Sequence, residues 1–312
     1  MIKQRIRLDE ESEKTILEAL GVADVVRDEA LRIIAYLEQH MKDFEPKDNK
    51  EYSETECEIN LNFGDSYEIP LRITVDYFRN EKVREAYRNR FAHKRPEYSK
   101  DDEDITMDID IVNGVLEDNL LYYLQHEIHH AYQYYCKKKN GLEYVPNTPA
   151  YEKAKLYLAY PNNEVQIAAM AVYLWGTHEM SAYENGLYAK LLDNFKTKNE
   201  PVSNVIHETP FYDMYTQLLW MFKNMENGYV PEAMEIITKN FKITPNKLKN
   251  ICGKVVKKAQ DMMAKAVTKA KLDYEEWVEK RGMTNSDPYE IKRLKPLSEG
   301  QVRIIRKTSE WL

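Results

Sequence analysis

The chain changes its hydrophobic period at one place, Asn113-Gly114, and that change restricts the fold more than any other feature. Before it, three stretches alternate apolar with polar side chains, the period of a strand with one buried face. Cys57, Ile59, Leu61 and Phe63 alternate with Glu56, Glu58, Asn60 and Asn62; Ile69, Leu71, Ile73, Val75 and Tyr77 repeat the pattern; Ile105, Met107, Ile109 and Ile111 alternate with Thr106, Asp108 and Asp110. After Asn113-Gly114 the spacing becomes three and four: Leu120, Leu121, Leu124, Ile128, Ala131 and Tyr135 fall on a helix running from about Leu116 to Lys139. Gly64-Asp65-Ser66 is a turn signal, so the first two strands form a hairpin. One apolar face per strand predicts a small antiparallel sheet covered on one side by helices.

Helical patterns flank that sheet. Residues 9–42 read as two helices, the first with Ile16, Leu17 and Leu20 on one face and Gly21 as its C-cap. The second is capped by Asp24, with Val26, Ala30, Ile33, Ile34 and Leu37 inward. A short helix is expected around Glu81–Arg90, and the acidic run Asp101–Asp104 reads as a solvated loop. Beyond Gly141 the pattern is helical in segments near 163–175, 178–196, 211–227, 231–240 and 245–280, separated by Pro161-Asn162, Gly176, Pro210, Gly228 and Pro245. The fold class is therefore α+β and predominantly helical. Residues 1–140 hold the leading helices, the sheet and the helix after the turn, and 141–312 form a helical half, the two making one compact unit.

Composition excludes several classes. A chain of 312 residues with 31% charged side chains suits a folded globular protein. A net charge of −7 without a basic cluster, apart from Lys137–Lys139 in the last turn of a helix, argues against nucleic-acid binding. No run of about 18 apolar residues exists to span a membrane. Cys57, Cys136 and Cys252 are far apart and form no CxxC pair, which predicts a reducing compartment. The first residues, MIKQRIRLDEESEK, carry no apolar signal segment, so a cytoplasmic location is expected.

Chemistry enters at Gln125-His126-Glu127-Ile128-His129-His130. His126 and His130 are one helical turn apart, so both imidazoles face the same side and reach one zinc ion at about 2.0–2.1 Å. Glu127 is turned about 100° from His126 on a 3.6-residue helix, beside the ion rather than on it. There it takes a proton from water activated by zinc and delivers it to the leaving amine. His129 falls between the ligands as a supporting or solvent-facing group. Gln133, three residues after His130, shares its side, and Cys136 reads as a small core residue.

These residues carry a resemblance. A small sheet, an HExxH helix and a helical half that follows resemble the zincin metallopeptidases. Gln133 and Cys136 stand where HExxHxxGxxH would need glycine and histidine, which sets aside the metzincin branch. The gluzincin branch takes its third ligand from a glutamate on a later helix, often as Glu-x-x-Ala, and Glu179-Met180-Ser181-Ala182 matches that pattern. Tyr183 follows where those families often carry an aspartate that supports a ligating histidine. The resemblance implies Zn²⁺ held by His126, His130 and Glu179, with Glu164 and Glu184 as alternative third ligands. It also implies a Tyr or His that stabilises the oxyanion, for which His207, Tyr183 and Tyr212 are candidates.

The expected function is zinc-dependent hydrolysis of peptide bonds in a peptide or protein substrate, which could add to the edge of the strand Ile105–Ile111. The alternative is a non-catalytic assembly protein that keeps a zincin scaffold, such as a phage-particle component, an origin that the Lys-, Asn- and Tyr-rich composition suits. A third reading is a regulatory peptidase or toxin aimed at one host protein.

Overall fold

The computed structural model describes residues 22–63, 68–91, 105–117, 119–139, 149–175, 177–198, 200–284 and 302–311. They fall into two compact units, one made of the described residues up to Lys139 together with 302–311, the other of 149–284. The chain is α+β and mostly helical, as the two hydrophobic periods require.

The first unit contains α1 (Val22–Gln39), α2 (Met41–Phe44), β1 (Tyr52–Asn62), β2 (Glu68–Phe78), α3 (Glu81–Phe91), β3 (Ile105–Val112), β4 (Val115–Leu116), α4 (Leu120–Lys139) and β5 (Val302–Trp311). Its strands make one sheet in the order β4-β3-β2-β1-β5. The alternating residues do what their period demands. Cys57, Ile59, Leu61, Ile69, Leu71, Ile73, Val75, Ile109 and Ile111 are buried in one core with Val26, Ala30, Ile33 and Leu37 of α1 and Leu120, Leu124, Ile128 and Ala131 of α4. Each of the Val, Ile and Leu side chains among them contributes about 1.5–3 kcal/mol by leaving water. This core therefore anchors one face of α4 and fixes how the helix is rotated about its axis.

The turn into α4 is built by Asn113 and Gly114, with φ of 52° and 76°. Left-handed angles at both positions make the two-residue turn that matches the twist of paired strands, so Val112 meets Val115 and the chain then enters α4.

Three expectations need correction. The sheet is mixed: β1 and β2 are antiparallel, with Tyr52 opposite Phe78 and Asn62 opposite Glu68, but β2 and β3 run parallel. Alternation tells which face of a strand is apolar and says nothing of its direction; α3 lies between β2 and β3 and gives the chain length to return. The stretch after 141 is not helical throughout, because 302–311 form β5, antiparallel to β1. The second helix begins at Val22, so Asp24 lies within its first turn rather than capping it. The expected first helix and the run Asp101–Asp104 lie outside the described residues. So does the turn Gly64–Ser66.

The second unit contains α5 (Pro149–Tyr157), α6 (Asn163–Trp175), α7 (Thr177–Thr197), α8 (Val202–His207), α9 (Pro210–Glu226), α10 (Met234–Phe241) and α11 (Pro245–Thr284). α6 is its centre, with Val165, Ile167, Ala168, Ala169, Met170, Ala171, Tyr173 and Leu174 all buried, the mark of a helix covered on every side. α7, α9 and α11 pack against it. Asn162 starts α6 by accepting the Val165 N–H at 3.1 Å, and Thr209 caps α9 through the Tyr212 N–H at 3.3 Å, with Pro210 at the first helical position. Val255, Ala259, Met262, Ala266 and Ala270 form the expected buried stripe of α11. Among the described residues, no helix is long and apolar enough to cross a membrane.

Candidate metal centre

The predicted residues divide between the two units. In the first, α4 carries His126, Glu127, His129, His130 and Gln133, and its Leu124, Ile128 and Ala131 belong to the sheet core. His126 and His129 are buried and His130 is half-buried. The Nε2 atoms of His126 and His130 face each other at 3.2 Å, with ring centroids 4.8 Å apart and planes at 81°. Two nitrogens that share a tetrahedral zinc at about 2.0–2.1 Å each stand about 3.3–3.4 Å apart. The observed pair fits that requirement with little movement of either ring.

Gln133 sets the protons on this face. Its Oε1 lies 3.3 Å from His130 Nδ1 and its Nε2 lies 3.0 Å from His129 Nε2. With the amide assigned in this sense, His130 Nδ1–H donates to Gln133, and the lone pair is left on Nε2, the nitrogen that faces His126. The same amide donates to His129 Nε2, which places the His129 proton on Nδ1. Among the described residues no hydrogen bond or ion pair ties down Glu127, which is half-buried. A carboxylate left untied in this way can turn towards a water beside the histidines. Cys136 is a buried member of the sheet core.

In the second unit, Glu179 sits in the first turn of α7 and is 3% exposed. A carboxylate so buried needs partners. The Tyr151 hydroxyl from α5 donates to Oε1 and the Tyr173 hydroxyl from α6 donates to Oε2. The two tyrosine rings stack, with centroids 5.2 Å apart and planes at 21°. Burial first, and then the neighbouring Glu179 charge, raise the pKa of the Tyr151 hydroxyl far above its ordinary value; burial, Tyr183 and Glu179 do the same for Tyr173. Both hydroxyls therefore remain donors.

The remaining candidates have other surroundings. Glu164 accepts from the Tyr229 hydroxyl and from the Ala233 N–H, at 2.7 Å for the latter, and so ties α6 to the start of α10. Glu184 is half-buried on α7, five residues past Glu179. Tyr183 lies one turn beyond Glu179 on the same helix, with its ring 5.0 Å from Phe211. His207 is exposed at the end of α8 and its ring lies 4.3 Å from that of Tyr212. Sequence reading passed over Tyr151 and Tyr173. With 23 tyrosines in the chain, identity alone gave no signal; the one usable cue was that Tyr173 precedes Glu179 across the break at Gly176.

No protein-family model matches the chain, and no curated protein or solved structure matches it either.

Proposed function

We propose that His126, His130 and Glu179 together hold one zinc ion, and that the protein is a zincin-type metallopeptidase of the gluzincin kind. The single observation that carries the reading is the pair of histidine Nε2 atoms converging at 3.2 Å on the helix that also bears Glu127. Two imidazoles and a carboxylate are a zinc donor set that leaves a fourth position open, as hydrolytic sites need. The buried Glu179, already held by two donors, is better placed for ligation than Glu164, whose oxygens serve the α6–α10 junction.

Zinc, when bound, supplies the Lewis acidity that makes water a nucleophile at neutral pH and polarises the scissile carbonyl. The chain's own residues do the rest. Gln133 keeps His130 in the tautomer that ligates. Tyr151 and Tyr173 hold the carboxylate of Glu179. Glu127 accepts the proton of the attacking water and passes it to the amine that leaves, so that one carboxylate acts as base and then as acid. Of the predicted oxyanion donors His207, Tyr183 and Tyr212, Tyr183 is favoured because it lies on the same helix as Glu179, whereas His207 packs its ring against Tyr212.

The test is elemental analysis of protein purified without added metal, followed by digestion of a broad peptide library. About one zinc per chain in wild type, and none after replacing both His126 and His130 by Ala, supports the centre. Iron in its place would indicate an oxygen-activating site built on the same two-histidine, one-carboxylate set. Zinc without cleavage of any library peptide would favour the non-catalytic assembly role.

A further inference from the structure

The hydroxyls of Tyr151 and Tyr173 do not stand beside Glu179 as general packing. They come from two different helices, α5 and α6, and each takes a different oxygen of the same carboxylate. The rings are stacked, so neither hydroxyl can swing without unstacking its partner. Both residues are buried, at 8% and 9% exposure, and the carboxylate they hold is 3% exposed. Such an arrangement holds both oxygens of the Glu179 carboxylate from two sides. Elsewhere in the same unit a buried tyrosine meets a single acid in the ordinary way: Tyr188 donates to Asp273 at 2.6 Å, and one hydroxyl serves one oxygen.

We infer that Tyr151 and Tyr173 are positioning residues that act on the metal through Glu179: a two-tyrosine clamp that pre-orients this ligand and withdraws part of its charge. The inference rests on the reading of Glu179 as a zinc ligand. Its physical basis is that a ligand fixed before the ion arrives loses less conformational freedom on binding. A carboxylate that already donates electron density into two hydrogen bonds also leaves more charge on the ion, which sharpens its action on water. The clamp acts on the carboxylate from α5 and α6, two helices other than the one that carries Glu179.

The experiment measures zinc affinity of the full chain by competition with a chelator, and thermal unfolding of the metal-free protein by circular dichroism. It compares Tyr151→Phe, Tyr173→Phe, Glu179→Ala and, as a control for losing a buried tyrosine–carboxylate bond, Tyr188→Phe. Phenylalanine keeps each ring and its stacking, so the helices persist. Loss of outer support typically weakens zinc binding by about 10–100-fold. The clamp predicts that loss for Tyr151→Phe and for Tyr173→Phe, and zinc affinity within about twofold of wild type for Tyr188→Phe even if its unfolding temperature falls. Zinc affinity unchanged or raised in both clamp variants, while Glu179→Ala still loses zinc, overturns the clamp and leaves the ligand assignment standing. Wild-type zinc affinity in Glu179→Ala overturns both.

Discussion

The Tyr52 hydroxyl donates to Asp76 Oδ1 at 2.7 Å, across the β1–β2 pair and on the sheet face opposite the apolar core. Around Asp76 stand Glu54, directly opposite it on β1, and Asp108 and Asp110 on β3, while Tyr87 of α3 shares the Tyr52 hydroxyl at 3.0 Å. Arg84, also on α3, reaches Asp110 at 3.8 Å. Burial is the main cause that lifts the Asp76 carboxyl from 3.8 to about 7; its bond with Tyr52 lowers it, and Glu54, Asp108 and Asp110 raise it further.

That relationship gives a pH dependence with a definite sign. Between about pH 4 and 7 the unfolded chain has released the Asp76 proton and the native protein still holds it. Stability contributed by this group is therefore present below pH 4 and is lost as the pH rises to about 7, by an amount on the order of 2–4 kcal/mol. Asp76→Asn should remove that slope. Urea unfolding of wild type and variant at pH 5 and pH 8 checks it: the variant should gain relative to wild type at the higher pH, and an equal difference at both would contradict the assignment.

Replacing Glu127 by Gln keeps the size of the side chain and removes its basicity. Zinc content and unfolding temperature should stay at wild-type values while peptide hydrolysis falls by about 10²–10⁴-fold. The measurement is hydrolysis of any library peptide that wild type cleaves, with zinc in excess. Equal rates in the two proteins would take Glu127 out of the chemistry.

Gln133 should matter through His130 rather than through the fold. Gln133→Leu leaves His130 Nδ1–H without its acceptor and should lower zinc affinity by about 10–100-fold. Gln133→Glu keeps an acceptor at that position and should bind zinc at least tenfold better than the leucine variant, as outer-shell support of a ligating histidine requires. Competition titration of the two variants separates the orienting role from simple filling of space.

Glu164 and Glu179 should part company. Glu164→Ala removes two hydrogen bonds that join α6 to the start of α10, at a cost of about 1–2 kcal/mol for a half-buried charged acceptor, and should not alter zinc content. Glu179→Ala should weaken zinc binding as well as stability, because it removes a ligand. Zinc loss in the Glu164 variant alone would transfer the third ligand to that residue.

Much of this organisation was legible because side-chain period is a local property. The alternation at Cys57–Phe63 and Ile69–Tyr77 and the three-four spacing from Leu120 to Tyr135 mark buried faces without reference to the rest of the chain, and the buried residues are those. The i, i+4 spacing of His126 and His130 likewise fixes their proximity from helix geometry alone. What stayed hidden depends on partners far away in sequence. The direction of β3 is decided by how the chain returns after α3, and β5 finds its place only through β1. Tyr151 acquires a role from a carboxylate 28 residues later, which no periodicity encodes.

The pairing of β1 with β5 joins residues 52–59 to 302–311, with the whole helical unit between them in the chain. During synthesis, β1 leaves the ribosome long before its outer neighbour exists. One edge of the sheet, with its unpaired backbone N–H and C=O groups, must wait while about 240 further residues are made, at roughly 5–20 residues per second. Exposed strand edges of this kind invite pairing with other chains. Early folding of the α5–α11 unit would shorten the effective loop that has to close, and with it the entropy opposing closure. The last step of assembly would then be the arrival of a single strand, and the yield of this protein should depend on how long a nascent chain can keep β1 unpaired.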